Sequence, residues 1–163
     1  MVSVRFVGSG GQGVVLASTI LAEAASTEGM HAAQSQSYSA QVRGDITRGD
    51  AIMSDKPIVY PVVDVPDIII AMDESALKRY DDARATLIYD SSLIKSGRGE
   101  GIGATDMAAR ELPSVLYANM ILLGFLVRET GIVRKESVES VLAKHLRAQE
   151  NLKAFHLGLT SEK

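Results

Sequence analysis

The residues Gly8-Ser9-Gly10-Gly11-Gln12-Gly13 satisfy the pattern G-x-G-x-x-G, which carries chemical meaning only where a strand ends and a helix begins. Val-rich residues 2–7 precede it and an unbroken Ala/Leu-rich stretch over 14–25 follows, so strand, glycine turn and helix are predicted. Glycines permit a tight turn and close backbone approach. The unpaired N–H groups and the dipole of the following helix then favour a phosphate or carboxylate, with no lysine required. The competing reading is that the glycines only let the first helix pack closely on the sheet.

A dinucleotide enzyme also needs an acid roughly 20 residues beyond the loop for the ribose, or an arginine for a 2′-phosphate. The corresponding stretch, His31-Ala32-Ala33-Gln34-Ser35-Gln36-Ser37, holds neither. Anion binding therefore remains open, while an independent nicotinamide enzyme loses the half of the fingerprint that gives specificity.

Other chemistries find less support. The chain has no cysteine, which removes thiol nucleophiles, disulfides and iron-sulfur clusters held by its own thiolates. His31, His145 and His156 are too far apart for a zinc site, and no Ser, His and acid trio announces a hydrolase. Asp64, Asp67 and Asp73 flank an apolar run and read as capping or solubilising its ends. No catalytic residue and no metal ligand is assigned. With net charge −3 and pI near 5.6, the chain lacks the basic field that nucleic-acid binding needs. Its longest apolar run, Met120 to Val127, is too short for a membrane span, and no signal-peptide pattern opens the chain, so a cytoplasmic location is expected.

The elements that must position the loop follow from periodicity. At 163 residues the chain fits one domain, residues 1–163. Gly29 is placed to close the first helix, residues 31–38 read as a second strand or an extended approach, and 39–49 reads as a long exposed loop before apolar alternation over 50–54. The run Asp67-Ile68-Ile69-Ile70-Ala71 is the β-branched stretch of a central strand buried on both faces. A short helix over 75–80, a strand over 85–89, a glycine-rich loop over 97–103 and a helix capped by Thr105 or Asp106 follow. Helices over 116–130, 135–146 and 151–157 complete the reading. The predicted class is α/β, a Rossmann-like open and mainly parallel sheet flanked by helices, with a helical C-terminal part. Ligands on such sheets bind beyond the carboxyl ends of the strands. Because residues 120–127 are apolar all round, a partner surface is also expected there.

An ordered series of motifs spans nearly the whole chain: Gly8-Ser9-Gly10-Gly11-Gln12-Gly13-Val14, Ser37-Tyr38, Val42-Arg43-Gly44, Ser54-Asp55-Lys56-Pro57-Ile58, Asp90-Ser91-Ser92-Leu93, Ala104-Thr105-Asp106-Met107-Ala108 and Ala118-Asn119-Met120-Ile121-Leu122-Leu123-Gly124. In this series the chain resembles the gamma subunits and gamma-like domains of 2-oxoacid:ferredoxin oxidoreductases. It departs from the pattern at Tyr38-Ser39-Ala40 and Arg43-Gly44-Asp45, where serine and aspartate stand in place of glycines that adopt positive φ freely.

The resemblance implies a complex that oxidatively decarboxylates a 2-oxoacid, transfers the acyl group to coenzyme A and passes two electrons through iron-sulfur clusters to ferredoxin. Thiamine diphosphate supplies the carbanion chemistry. It implies no cofactor held by this chain alone; alpha and beta subunits, with a ferredoxin-like delta subunit as a further candidate, carry thiamine and clusters. The gamma module would assist assembly and contribute to the coenzyme A side. The substrate stays open among pyruvate, 2-oxoglutarate, branched-chain oxoacids and indolepyruvate, with 2-oxoglutarate favoured by general resemblance. The alternatives are a stand-alone nucleotide-binding oxidoreductase and a non-catalytic assembly scaffold.

Within that frame the candidate binding set is Gly8, Gly10, Gly11, Gln12, Gly13, Tyr38, Arg43 and Gly44. The Arg43 fork can take a carboxylate or phosphate in bidentate fashion, or brace a loop or interface. Gln12 can donate to a phosphate or cap the first helix. Tyr38 can pack on adenine or on a subunit, or sit buried with its hydroxyl satisfied. Asn119, an amide in an apolar helix, needs partners and is read as gripping a loop backbone or a neighbouring subunit.

Overall fold

The computed structural model describes residues 1–38, 45–96 and 98–161. Its strands are β1 (Val2–Ser9), β2 (His31–Tyr38), β3 (Ile46–Ser54), β4 (Ile68–Ala71), β5 (Thr86–Asp90) and β6 (Glu100–Ile102). Its helices are α1 (Val14–Thr27), α2 (Glu74–Tyr80), α3 (Ala104–Glu111), α4 (Ala118–Thr130), α5 (Lys135–Leu142) and α6 (Ala148–Thr160), with a short 3-10 turn at Val115–Tyr117. The strands form one sheet in the order β2-β3-β1-β4-β5-β6. β1, β4, β5 and β6 run parallel, as strand-helix alternation predicts. β3 is antiparallel to both β1 and β2. The fold is the α/β class predicted, with a mixed sheet.

The largest correction concerns residues 46–49, the part of the predicted long exposed loop over 39–49 that forms a strand; residues 39–44 lie outside the described residues. β3 begins at Ile46 and is mostly buried. Gly49 and Asp50 each have a tertiary reason to lie in a strand. Asp50 stands opposite Arg5 in register and is neutralised by it. A Cβ on Gly49 would lie 2.4 Å from Ser18 Oγ and 3.0 Å from the Val14 carbonyl, so the missing side chain is what lets α1 sit down on the sheet. The glycine-rich stretch before α3 likewise contains β6, where Gly101 makes room for the Tyr89 ring.

Local signals account for most helix ends. Gly29, at φ +82°, closes α1: Met30 N–H donates to the Ala25 carbonyl and Gly29 N–H to that of Ser26, a Schellman-like cap. Asp73 caps α2 by accepting from Ala76 N–H at 2.9 Å. α3 departs from expectation, because neither Thr105 nor Asp106 caps it. Asp90, at the end of β5, accepts from the N–H and hydroxyl of Thr105, and the Ser92 hydroxyl accepts from Asp106 N–H. α6 starts at Ala148, earlier than predicted, because Arg147 takes left-handed φ of 57° and ends the preceding segment.

The sheet divides the core in two. On one side Val4, Phe6, Ala51, Ile68, Ile70 and Ile88 pack with α1, α4, α5 and α6; on the other Val7, Ile69, Ala71 and Leu87 meet α2. α4 is buried over Ala118 to Val127 by this chain's own elements, chiefly α6 across a glycine crossing. A Cβ on Gly124 would lie 2.1 Å from the Phe155 carbonyl, and one on Gly158 2.0 Å from that of Ile121. The partner expected for residues 120–127 is therefore α6, and the reading of an outside surface there is corrected.

Candidate functional site

β1 ends in the middle of the sheet, where the chain must turn through Gly10 to Gly13 to enter α1. Gln12 organises this turn. Its Oε1 accepts from Ser9 N–H at 2.7 Å and its Nε2 donates to the Met72 carbonyl at 2.9 Å, tying the loop to the end of β4. Both halves of the amide are thus engaged inside the chain, which is neither the ligand contact nor the helix cap considered for it. Gly8 supplies the space: a Cβ there would lie 2.5 Å from Gln12 Oε1.

Gly13 caps α1 with a left-handed φ of 72°. Its carbonyl accepts from Ala17 N–H and from Asn119 Nδ2, each at 3.0 Å, and a Cβ would lie 2.3 Å from that amide nitrogen. Asn119 Oδ1 accepts from Met120 N–H at 2.8 Å. The loop-gripping role read from the sequence for Asn119 is what the geometry shows.

Gly10 and Gly11 differ from their neighbours. Gly11 has φ +87° and nothing within 4 Å of a Cβ, and a Cβ on Gly10 would meet only the Asp45 carbonyl, at 3.9 Å. They border a cleft of about 450 Å³ lined by Ser9, Gly10, Gly11, Gly13, Val14, Val15, Asp45 and Thr47. The first-turn N–H groups of α1 have no acceptor within their helix and carry the positive end of its dipole. A phosphate or carboxylate suits this backbone surface. Among the described residues lining the cleft none is cationic, and Asp45 is acidic.

Arg43 and Gly44 lie outside the described residues, as does the side chain of Tyr38. The described residues on either side of that segment lie beside the glycine loop. Tyr38 pairs with Thr47 and Ser9 with Ile46, and the Asp45 carbonyl accepts from Gly10 N–H at 2.9 Å. Asp45 and Thr47 were not singled out from the sequence, because their place in the cleft depends on the antiparallel register of β3. Among the described residues no group of three or more potential metal ligands gathers, and no helix is long and apolar enough to cross a membrane.

Residues 3–161 match the family described as pyruvate ferredoxin/flavodoxin oxidoreductase. The 2-oxoglutarate synthase subunit KorC of Archaeoglobus fulgidus is 41% identical over 161 residues, covering 96% of this chain and 86% of that protein. Among solved structures, the keto/oxoacid ferredoxin oxidoreductase gamma subunit from Geobacter sulfurreducens superposes with a TM-score of 0.84 at 32% identity, covering 97% of this chain and 96% of its own. The PORC subunit of pyruvate oxidoreductase from Thermotoga maritima gives 0.78 at 28% identity, covering 98% and 93%. The chain belongs to the pyruvate ferredoxin/flavodoxin oxidoreductase family, as a gamma-type subunit of a multisubunit 2-oxoacid:ferredoxin oxidoreductase.

Proposed function

We propose that this chain, a single domain over residues 1–163, forms part of the coenzyme A side of a cytoplasmic complex that converts a 2-oxoacid and coenzyme A to acyl-coenzyme A and carbon dioxide. The two electrons released go to ferredoxin. The observation that carries the reading is the open backbone at Gly10 and Gly11, set against the first turn of α1 and a cleft of about 450 Å³. That surface accepts one phosphate group closely because no side chain intervenes. Arg43, two residues before Asp45, supplies the positive charge that the described lining lacks, with Gly44 and Tyr38 on the same connection. Gly8, Gln12 and Gly13 act from behind by fixing the loop's shape.

Thiamine diphosphate and the iron-sulfur clusters belong to the alpha, beta and, where present, delta subunits, since this chain has no cysteine to ligate a cluster. Thiamine, when bound to those subunits, stabilises the carbanion left by decarboxylation. 2-Oxoglutarate is the preferred substrate, in keeping with the similarity to the Archaeoglobus 2-oxoglutarate synthase subunit.

The test is kinetic and uses the assembled complex. Gly10→Ala places a methyl in the cleft where the structure has room for it, and Arg43→Gln removes the cation. Each should raise KM for coenzyme A by about tenfold, the equivalent of one good polar contact, with KM for the 2-oxoacid unchanged. Unaltered coenzyme A kinetics in both variants would make this chain an assembly scaffold.

A further inference from the structure

The face of the sheet opposite α1 carries an arginine cluster that the proposed function does not use. Asp50 is fully buried, and Arg5 engages it through two hydrogen bonds, Nε to Oδ1 at 2.9 Å and Nη2 to Oδ2 at 3.0 Å. Nη2 also donates to the Val63 carbonyl. Arg48 lies two residues from Asp50 on the same face of β3, its Nε 3.5 Å from Asp50 Oδ2. That Nε is shielded from solvent and makes no hydrogen bond. Arg79, exposed at the end of α2, completes the group. The guanidinium carbons of Arg5, Arg48 and Arg79 lie 5.7, 5.6 and 5.7 Å from the centre of the Tyr80 ring.

Three positive charges around one ring are balanced by a single carboxylate whose two oxygens Arg5 already occupies. Among the described residues Arg79 has no ion pair, and the undescribed connection over 39–44, Ser-Ala-Gln-Val-Arg-Gly, contains no acid. A buried N–H without an acceptor is costly, and like charges gathered around one ring repel. Among the described helices α2, seven residues long, covers this face, and β2 pairs Ser35 and Ser37 with Asp50 and Arg48, so the surface beside the cluster is polar.

We propose that this cluster is a docking point for an aspartate or glutamate side chain of a larger subunit of the complex, received between Arg48 and Arg79 beside the Tyr80 ring. Charge complementarity identifies the occupant: a carboxylate matches the guanidinium groups of Arg48 and Arg79 and relieves the excess charge. The inference rests on the chain's place in a multisubunit complex and is independent of whether it touches coenzyme A.

Arg79→Lys keeps the charge at an exposed position and gives carbodiimide a coupling site. In the purified complex carrying this variant, an amide bond between the introduced amine and an acidic residue of a larger subunit is expected, located by mass spectrometry. Acetylation of the introduced amine should run at least about tenfold slower than that of the fastest-reacting native lysine, as for a paired and shielded group. Acetylation at the rate of exposed lysines, coupling only within this chain, or protection that appears only when coenzyme A is added would each overturn the proposal. If the wild-type chain enters no complex, the proposed function falls and this inference with it.

Discussion

Asn119 of α4 donates its amide to the carbonyl of Gly13 at 3.0 Å, joining the helical layer to the glycine loop across a sequence separation of 106 residues. The same contact explains the glycine, since a Cβ at Gly13 would collide with the amide that holds it. Gly13→Ala combines that collision with a left-handed φ, and should destabilise by about 2 kcal/mol or more. Asn119→Ala should cost about 1–3 kcal/mol by emptying a buried hydrogen-bonded position. Because the second change removes the obstacle met by the first, the double variant should lose less than the sum in urea unfolding. Strict additivity would show that the two residues do not meet.

At the crossing of α4 and α6, Gly158→Ala would force a methyl to within 2.0 Å of the Ile121 carbonyl and 2.8 Å of Phe125 N. The helices must separate, at about 1–3 kcal/mol or more. For a chain of this size that lowers Tm by roughly 2–4 °C per kcal/mol. Differential scanning calorimetry checks it, with Gly29→Asn as a mild comparison because asparagine tolerates left-handed φ.

Asp50→Asn leaves Arg5 buried without its counterion and should destabilise by about 3–5 kcal/mol. Replacing the pair together, Arg5→Met with Asp50→Leu, should recover much of that loss in chemical denaturation. A double variant as unstable as Asp50→Asn would mean that Arg48 and Val63 also depend on the pair.

Arg84 holds the Asp82 carboxyl well below its usual value of 3.8, first through its side chain and then through its backbone N–H. A carboxylate lowered in the folded state stabilises above its ordinary pKa and ceases to do so as pH falls through the lowered one. The stability gap between wild type and Asp82→Asn should therefore be level above about pH 5 and close as the solution becomes more acidic. Arg84 is exposed and Asp82 partly so, so added salt should shrink the gap. A gap that widens in acid would reverse the assignment.

Much of this was legible in the sequence because it is local. The glycine loop, the β-branched run of β4, the cap at Gly29 and the partner-seeking amide of Asn119 each carry their meaning within a few residues. β3 was not legible in that way. Arg48-Gly49 reads as a loop until Arg5 stands opposite Asp50 and Ser18 stands over Gly49, and both facts belong to elements far away in the chain. The cleft shared that fate, since Asp45 and Thr47 reach it only through the register of the same strand. α4 misled in the opposite direction: its all-round apolarity was a true signal of burial, but the cover comes from α6.

The glycine crossing also sets an order of events during protein synthesis. Translation delivers α4 before α6, so a growing chain holds the apolar side of α4, with Gly124 at its centre, uncovered until residues 148–160 emerge. Final consolidation of the helical layer is therefore deferred to late in chain elongation. A nascent or prematurely terminated product lacking α6 presents the kind of greasy surface that chaperones and proteases recognise, which gives the cell a means of discarding incomplete subunits before they meet their partners.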